Sequence, residues 1–217
     1  MRKFFVGLLW TLLILFVLGT GVAFYAINEG LIGYMPPIED LQNPINRFAT
    51  QIYTADGKLM GTWNYNRENR VMVDYTKLSP HLVHALVATE DARFYDHSGI
   101  DFYALGRAVF KRGIMGQKSA GGGSTITQQL AKQLSSDVAR TDGARMMQKP
   151  IEWFIAVQLE RYYTKEEIIT MYLNYFDFLY TAVGIKNAAR TYFNKAPIDL
   201  SLNECAILVG MCKNPSL

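Results

Sequence analysis

The chain has 217 residues, of which 50% are hydrophobic and 19% are charged, and its formal net charge is +3. This length suits one domain plus a short anchoring segment. The small positive charge is too small to indicate a nucleic-acid-binding protein, and it is compatible with work beside an anionic membrane or on a phosphorylated substrate. The only cysteines, Cys205 and Cys212, lie seven residues apart in a predicted helix, too far for a disulfide and without the histidines of a metal site. We predict that both pack in the core.

The N-terminus carries an uncharged and almost wholly apolar run over residues 4–27, preceded by Arg2 and Lys3. This run is long enough to cross a bilayer as a helix. A cleaved signal peptide is the alternative, but the run exceeds an ordinary signal core and no clean cleavage site follows it. The two basic residues predict a cytoplasmic tail at residues 1–3, with everything after the span outside the cytoplasm.

Two short segments connect this span to the rest of the chain. Residues 28–47 contain repeated glycines and prolines, which predict a stalk. Asp56-Gly57 then separates two β-prone runs, which is a strong hairpin signal, and alternation over residues 71–75 suggests a third strand. We therefore predict a small β linker over residues 48–76.

After this linker the apolar periodicity becomes helical, so residues 77–217 are predicted to form a mainly α domain. Ser79 and Pro80 should begin its first helix as N-cap and first helical residue. Thr164 and Glu167 have the spacing of a capping box and should begin a later helix. Further helices are predicted over residues 102–112, 125–134, 146–162, 184–193 and 201–211.

Glu90 and Asp91 end the apolar face of the first predicted helix. Leu82, Leu86 and Glu90 are spaced by four residues, and the parallel row one residue later ends in Asp91. A carboxylate beside an apolar surface is partly dehydrated, which favours the protonated form and suits a general base. Acids at a helix end are also often solvated or ion-paired, so this pair alone supports both interpretations.

A glycine run at residues 121–123 precedes the helix that should start near Thr125. Glycines let a ligand approach the backbone, and Thr125 with Gln128 has capping-box spacing. A helix N-terminus with free N–H groups binds phosphate well, and Lys132 adds positive charge nearby. The loop lacks the order of a nucleotide P-loop, so we set ATP aside, and a mobile surface loop is the alternative.

Lys149 and Glu152 stand at the start of an apolar stretch whose centre, residues 153–157, should be buried. The helix begins either near residue 146 or at Pro150. A helix dipole favours an acid in its first turn, which by itself would explain Glu152. A catalytic role for Glu152 is the competing interpretation.

In this order the three elements resemble the peptidoglycan glycosyltransferases of glycosyltransferase family 51, found in class A penicillin-binding proteins and monofunctional transglycosylases. The first family motif is matched from Glu90 to Asp101 and the second from Gly122 to Lys132. The third is matched at Lys149 and Glu152, with Gln148 where arginine is usual. The fourth is matched at Tyr172-Leu173-Asn174 and between Gly184 and Phe193, and residues 205–215 look like the start of a fifth.

The resemblance covers residues 45–217 and implies a lysozyme-like helical glycosyltransferase domain behind one transmembrane helix and the β-hairpin linker. Because the chain stops at Leu217, inside the fifth motif, we expect a domain that is incomplete at its C-terminus. The implied reaction is polymerisation of lipid II into β-1,4 glycan strands, with inversion and release of polyprenyl diphosphate.

The resemblance also implies roles for residues. By position Glu90 is the base that deprotonates the acceptor 4-hydroxyl, and Glu152 is the second catalytic carboxylate. No cofactor is obligatory, although a divalent cation such as Mg²⁺, held in part by Glu152, is compatible. Asp91, Phe94, His97 and Asp101 are expected mainly to shape the site. The implied substrate-binding residues are Asp91, Phe94, His97, Ser124, Thr125, Gln128, Gln129, Lys132, Lys149 and Asn174.

The implied partners are lipid II, the growing lipid-linked strand, the bacterial inner membrane and other cell-wall synthesis proteins, with no nucleic acid. We expect residues 114–121 and the helix before them to enter the headgroup region. A lysozyme-like glycan hydrolase is one alternative, but it needs a proton donor and a water site rather than a phosphate-binding loop. A non-catalytic, membrane-tethered binding module is the other.

Overall fold

The computed structural model describes residues 2–29, 50–63, 70–111, 116, 123–135 and 142–213. The stalk and the loop at residues 114–121 fall almost wholly outside them. The described part is mainly helical, which confirms the predicted class. Its α-helices are α1 (Arg2–Asn28), α2 (Pro80–Glu90), α3 (Phe102–Val109), α4 (Ile126–Ser135), α5 (Asp142–Tyr162), α6 (Lys165–Tyr175), α7 (Ile185–Phe193) and α8 (Leu202–Lys213), and its strands are β1 (Thr50–Tyr53) and β2 (Leu59–Trp63).

Helix α1 contains the apolar run at the N-terminus. The stretch Lys3–Ala23 has 21 residues and a mean hydropathy of 2.3, so it is long and apolar enough to cross a membrane. None of it is buried against the rest of the protein. Such a surface is unfavourable in water and suits a lipid-facing helix. A signal sequence meets the same criteria of length and composition.

The predicted hairpin is confirmed. Strands β1 and β2 pair antiparallel, with Gln51 opposite Thr62. Gly57 in the connecting turn has a φ of 78°, a left-handed value that glycine adopts without steric cost.

The predicted third strand is wrong. Residues 70–74 form no regular structure, and Tyr75–Lys77 is a short 3-10 helix. The backbone of Val73 pairs instead with a buried side chain of α6: its N–H donates to Asn174 Oδ1 at 3.1 Å, and its carbonyl accepts from Asn174 Nδ2 at 3.0 Å. Since the amide side chain takes both backbone groups, this segment is tied to the helical core and not to the sheet.

Helix α2 starts as predicted, with Ser79 as N-cap and Pro80 as its first residue. The Ser79 hydroxyl does not cap the helix, because it donates to the carbonyl of Leu200 at 3.2 Å. Leu82, Val83 and Leu86 are buried, and the helix packs against α8. This packing fixes the direction in which α2 ends, and therefore where Glu90 is placed.

Helix α6 is the centre of the core. It begins with the predicted capping box of Thr164 and Glu167, and most of its residues are buried. Helix α4 packs against α6 on one side and α5 on the other. Each fully buried aliphatic side chain contributes about 1.5–3 kcal/mol to the free energy of unfolding. The two cysteines of α8, Cys205 and Cys212, are free and buried, as predicted.

Helix α5 differs from its prediction at both its start and its centre. It begins at Asp142 and continues through Pro150. Ile155 and Ala156 are fully buried, but Val157 is 38% exposed. The helix packs along one face, so its 3.6-residue period returns part of the apolar centre to the surface.

Candidate active site

A cleft of about 530 Å³, open to solvent, lies where the end of α2, helix α3 and the residues before α4 meet. It joins the acidic segment after α2 and the glycine-rich segment before α4, which are separated in the sequence. The polar side chains that line it are those of Glu90, Asp91, Arg93, Asp101, Tyr103, Arg107, Ser124 and Thr125.

Glu90 is the last residue of α2 and is half-buried. Its Oε2 accepts a hydrogen bond from Gln129 Nε2 at 2.8 Å. Gln129 Oε1 in turn accepts from the Tyr172 hydroxyl at 3.0 Å. The other carboxylate oxygen, Oε1, is buried and has no hydrogen-bond partner in the described part of the protein. A buried acceptor without a donor costs free energy, so Glu90 has one oxygen held by Gln129 and one that no described donor satisfies.

Asp91 is the C-cap of α2, and its buried carboxylate caps a different helix. Its Oδ2 accepts from the backbone N–H of Ile126, the first residue of α4, at 3.1 Å. The same oxygen lies 3.0 Å from His97 Nε2. The carboxylate is thus held between an imidazole and the positive end of the α4 dipole.

The predicted phosphate site at the N-terminus of α4 stays a prediction, and the structure shows that part of this N-terminus is already occupied. Asp91 already occupies the N–H of Ile126, and the hydroxyl of Thr125 accepts from the N–H of Gln128 at 3.1 Å. An internal carboxylate satisfies the dipole of this helix in the folded protein, so an external anion has little to gain there.

Thr125 and Gln128 form the predicted capping box, with Gln128 Oε1 accepting from the N–H of Thr125 at 3.3 Å. Both residues are buried. The Thr125 hydroxyl also donates to the carbonyl of Gly99 at 2.7 Å. Because their polar groups bond within the protein, the geometry gives both residues a positioning role, and direct substrate binding by them stays a prediction.

Gly99 is the position at which this segment lies against α5. Its φ is 91°, a left-handed value that favours glycine. A Cβ at this position would lie 2.8 Å from the backbone oxygen of Ala156. Only glycine permits the acidic segment to approach the helix so closely.

Phe94 and His97 pack behind the residues that line the cleft and share a contact with Lys165. Phe94 is fully buried, and Lys165 Nζ lies 4.3 Å from the centre of its ring. The same ammonium donates to the carbonyl of His97 at 2.6 Å and to Glu160 at 2.8 Å. His97 Nδ1 is buried and unpartnered within the described residues. The structure thus gives these two residues a supporting place, as expected of residues that shape the site.

Asn174 is not among the residues that line the cleft. It is buried, and both ends of its amide bond to the backbone of Val73. The structure therefore uses Asn174 to hold the segment after the hairpin on α6.

Lys149 and Glu152, one turn apart on α5, form an ion pair with 2.6 Å between Nζ and Oε2. The Glu152 carboxylate is nearly inaccessible, whereas the Lys149 side chain is 56% exposed. Lys149 Nζ also donates to the Ser124 hydroxyl at 3.4 Å. The third family motif therefore meets the second here, and the exposed lysine lies at the edge of the loop before α4. Lys132 is also exposed, further along α4.

Three residues of the cleft were not singled out from the sequence: Arg93, Tyr103 and Arg107. Arg93 Nε donates to Asp101 Oδ2 at 3.0 Å, and its guanidinium lies 4.1 Å from the centre of the Tyr103 ring. Asp101 is the N-cap of α3 and accepts from the N–H of Ala104 at 2.9 Å. Arg107 lies one turn after Tyr103 and lines the cleft. The four-residue spacing of Tyr103 and Arg107 on a helix is the signal that could have indicated a shared face.

The ionisation of Asp101 follows from this arrangement. Burial by itself raises the pKa of its carboxyl group, but the hydrogen bonds from Arg93 and from the N–H of Ala104 outweigh burial. Together with the positive charge of Arg93, they hold the pKa below its ordinary value of 3.8.

The described residues do not fit a protein-built metal site. They contain no group of three or more His, Cys, Asp or Glu side chains close enough to hold a cation. Glu152 is paired with Lys149, and Asp91 bonds to His97 and to α4. A magnesium ion often keeps waters and substrate phosphates as ligands, so such an ion would depend on the substrate and not on this set of side chains.

Comparison with known proteins identifies the family. The family model described as Transglycosylase matches residues 56–217. Penicillin-binding protein 1A of Escherichia coli (strain K12) is 37% identical over 200 residues, which are 92% of this chain and 23% of that protein. Penicillin-binding protein 1F of Bacillus subtilis (strain 168) is 42% identical over 149 residues, 69% of this chain and 20% of that protein.

The chain therefore spans less than a quarter of the length of these two curated relatives, 23% and 20%. The family match begins at Asp56, in the turn of the hairpin, and continues through all the helices that build the cleft. This chain belongs to the transglycosylase family, the peptidoglycan glycosyltransferases.

Proposed function

We propose that this chain polymerises lipid II at the membrane. The growing strand is the donor, activated at C1 by a lipid-linked diphosphate, and the 4-hydroxyl of an incoming lipid II is the acceptor. One observation carries the proposal: Glu90, with an unpartnered carboxylate oxygen, lines the same cleft as Ser124, which Lys149 approaches. A base and an anion-binding edge therefore lie on one surface, as this transfer requires.

Glu90 acts as the general base. A sugar hydroxyl is a weak nucleophile until a base removes its proton as the new bond forms. The proton passes from the acceptor 4-hydroxyl to the Glu90 carboxylate while the acceptor oxygen bonds to C1 of the donor. The bond from C1 to the diphosphate oxygen breaks, and its electron pair leaves with the diphosphate. A single displacement of this kind inverts the α-linked donor to a β-linked product.

The leaving diphosphate needs positive charge and hydrogen-bond donors more than it needs a proton. Ser124 and Lys149 lie together and can supply both, and Lys132 can add a second cation along α4. Glu152 keeps Lys149 directed toward Ser124 through its buried carboxylate. In this proposal Glu152 acts by positioning the lysine, and the side chains replace the helix N-terminus as the diphosphate site.

The anchor confines the enzyme to the surface where its substrates are. Both substrates carry polyprenyl tails, so an enzyme held at the membrane meets them in two dimensions. Helix α1 supports this role by its length and hydropathy, and Arg2 and Lys3 support a cytoplasmic N-terminus. Protease added to spheroplasts should digest the chain from residue 40 onward. Protection of that part would contradict the orientation.

A divalent cation stays a separate proposal, since any such ion would arrive with the substrate diphosphate. Chelation with EDTA tests it: turnover that persists after chelation and dialysis excludes an essential ion. Turnover that stops and returns with added Mg²⁺, but not with Na⁺ at equal ionic strength, supports one.

The reaction itself is tested with the full chain in lipid vesicles and purified lipid II. We expect polymeric glycan and released polyprenyl diphosphate. Glu90→Gln should abolish both products, whereas Asp96→Asn, an exposed acid in the same segment, should leave both unchanged. Cleavage of finished glycan without use of lipid II would identify a hydrolase. Binding of lipid II with no product would identify a non-catalytic module.

A further inference from the structure

Three side chains from three helices form a partly buried hydrogen-bonded chain that ends at the proposed base. The Tyr172 hydroxyl of α6 donates to Gln129 Oε1 of α4 at 3.0 Å, and Gln129 Nε2 donates to Glu90 Oε2 at 2.8 Å. Gln129 is half-buried and Tyr172 is fully buried. The second carboxylate oxygen of Glu90 receives no donor from the described residues.

The direction of this hydrogen-bonded chain is fixed by the negative charge of Glu90. If the Gln129 amide were turned over, its carbonyl oxygen would face the Glu90 carboxylate, and two acceptors would oppose each other. With the amide as it stands, both donors point toward the carboxylate, and hydrogen bonds in such a chain strengthen one another. Tyr172 therefore helps to keep the NH₂ group of Gln129 on Glu90.

The buried end of the chain stays neutral. Burial is the main cause that raises the pKa of the Tyr172 hydroxyl, and the nearby Cys212 and Glu90 raise it further. Burial also raises the pKa of the Cys212 thiol to about 12. Tyr172 thus remains a donor at every pH at which the enzyme could work. The ionisable groups close enough to interact with Glu90 include Tyr172 and Cys212, and Asp91, Arg93, Asp101 and Arg107 line the same cleft.

We propose that Gln129 and Tyr172 are positioning residues that hold the Glu90 carboxylate in the orientation in which it takes the proton of the acceptor hydroxyl. The hydrogen bond from Gln129 Nε2 to Oε2 fixes the rotation of the carboxylate, and the Tyr172 hydroxyl fixes the orientation of the amide. This inference rests on the proposed function, and it reassigns Gln129 from substrate binding to orientation of the base.

Steady-state kinetics of the full chain in vesicles with lipid II test the proposal. Tyr172→Phe removes one hydroxyl and keeps the ring. We expect kcat to fall about threefold to tenfold with KM unchanged. Gln129→Leu removes a donor to a charged group, and we expect kcat to fall about tenfold to a hundredfold. In both variants the acid limb of the pH–rate profile should move to higher pH, because the lost donor favours the ionised carboxylate.

Two comparisons separate orientation from a structural effect. Tyr192→Phe removes a hydroxyl that donates to the carbonyl of Phe178 at 2.6 Å, and it should leave kcat and the pH profile unchanged. Tyr172→Phe added to Gln129→Leu should have no further effect, since the chain is already broken. Restoring the amide as Gln129→Asn should recover less than wild-type activity because the shorter side chain does not reach both partners.

The two proposals fail in different ways. If the wild-type chain forms no polymer, the proposed function fails. If the wild type polymerises and Glu90→Gln does not, but Tyr172→Phe matches Tyr192→Phe in kcat and pH profile, only the positioning proposal fails. If Tyr172→Phe lowers kcat and Tm but leaves the pH profile unshifted, the positioning proposal is also overturned, because damaged packing explains that pattern.

Discussion

The two sides of the cleft differ in how far their polar groups are already occupied by the protein. On the inner side, Asp91 bonds to His97 and to α4, and Thr125 and Gln128 bond to each other. On the outer side, the exposed Lys149 donates to Ser124, and Lys132 is a second exposed lysine further along α4. Glu90 lies between them, with one oxygen bonded and the other unpartnered in the described part.

This difference separates stability from function. Groups whose partners are inside the protein contribute to the free energy of unfolding, and they cost the most when removed. Exposed cations contribute little to stability because solvent screens them, so their use lies in a ligand. We therefore expect inner-side substitutions to change stability first and outer-side substitutions to change only turnover.

The largest effect is expected at Gly99. Gly99→Ala combines a left-handed backbone with a Cβ placed 2.8 Å from the oxygen of Ala156. We expect a loss of about 3 kcal/mol or more in the free energy of unfolding. Thermal and denaturant unfolding of the purified chain measure it. Gly57→Ala is the control, because its φ is 78° but its Cβ would meet nothing within 4 Å, and it should cost only about 1 kcal/mol.

Asp91→Asn comes next. The amide keeps the shape of the carboxylate but loses the charge that faces His97 and the α4 N-terminus. We expect a loss of about 2 kcal/mol, measured by urea unfolding at neutral pH. Asp96→Asn in the exposed neighbouring turn should change stability by less than about 0.5 kcal/mol. Equal losses in the two variants would remove the distinction between the inner side and the surface.

A smaller effect is expected at acid pH from Asp101. Its folded pKa is below the ordinary 3.8, so the unfolded chain takes up the proton first as the pH falls. The contribution of Asp101 to stability is therefore complete above pH 3.8 and is lost as the pH falls through the folded pKa. Asp101→Asn should lower stability at neutral pH and flatten the acid decline, measured by unfolding as a function of pH.

Glu204 provides the comparison for that experiment. Hydrogen bonds from Lys195 and Ser201 lower the pKa of this α8 carboxyl to about 2. Its contribution to stability is therefore also lost as the pH falls. Because Glu204 is not among the cleft residues, Glu204→Gln should leave the kinetics unchanged, whereas Asp101→Asn should also alter the α3 edge of the cleft. An acid decline that neither substitution flattens would contradict the assignment.

Lys132→Ala has the smallest expected effect on stability, less than about 0.5 kcal/mol. If the outer side holds the diphosphate, turnover of lipid II should nevertheless fall about tenfold, and its dependence on salt should weaken. Lys58→Ala in the hairpin removes another exposed lysine, whose side chain is 82% exposed, and should change neither quantity. If Lys132→Ala keeps the turnover and the salt dependence of the wild type, Lys132 does not contribute to the diphosphate site.

Local sequence determined the elements whose signals are local. The apolar row of Leu82 and Leu86 predicted α2 and placed Glu90 at its end. The capping boxes at Thr125 and Thr164 formed as predicted, because both partners lie within one helical turn. The Asp56-Gly57 turn gave the hairpin for the same reason. These features need no information from distant residues.

Only the tertiary structure decided the partners. The third strand failed because Asn174, 101 residues from Val73, takes the backbone groups that a sheet would have used. At the N-terminus of α4, Asp91, 35 residues from Ile126, supplies an anion from within the protein, which no local pattern had indicated. The chain from Tyr172 through Gln129 to Glu90 joins residues 43 and 39 positions apart. A periodic pattern determines which face of an element is buried, but tertiary packing determines which polar groups become hydrogen-bond partners. The function proposed for this cleft depends on those partners.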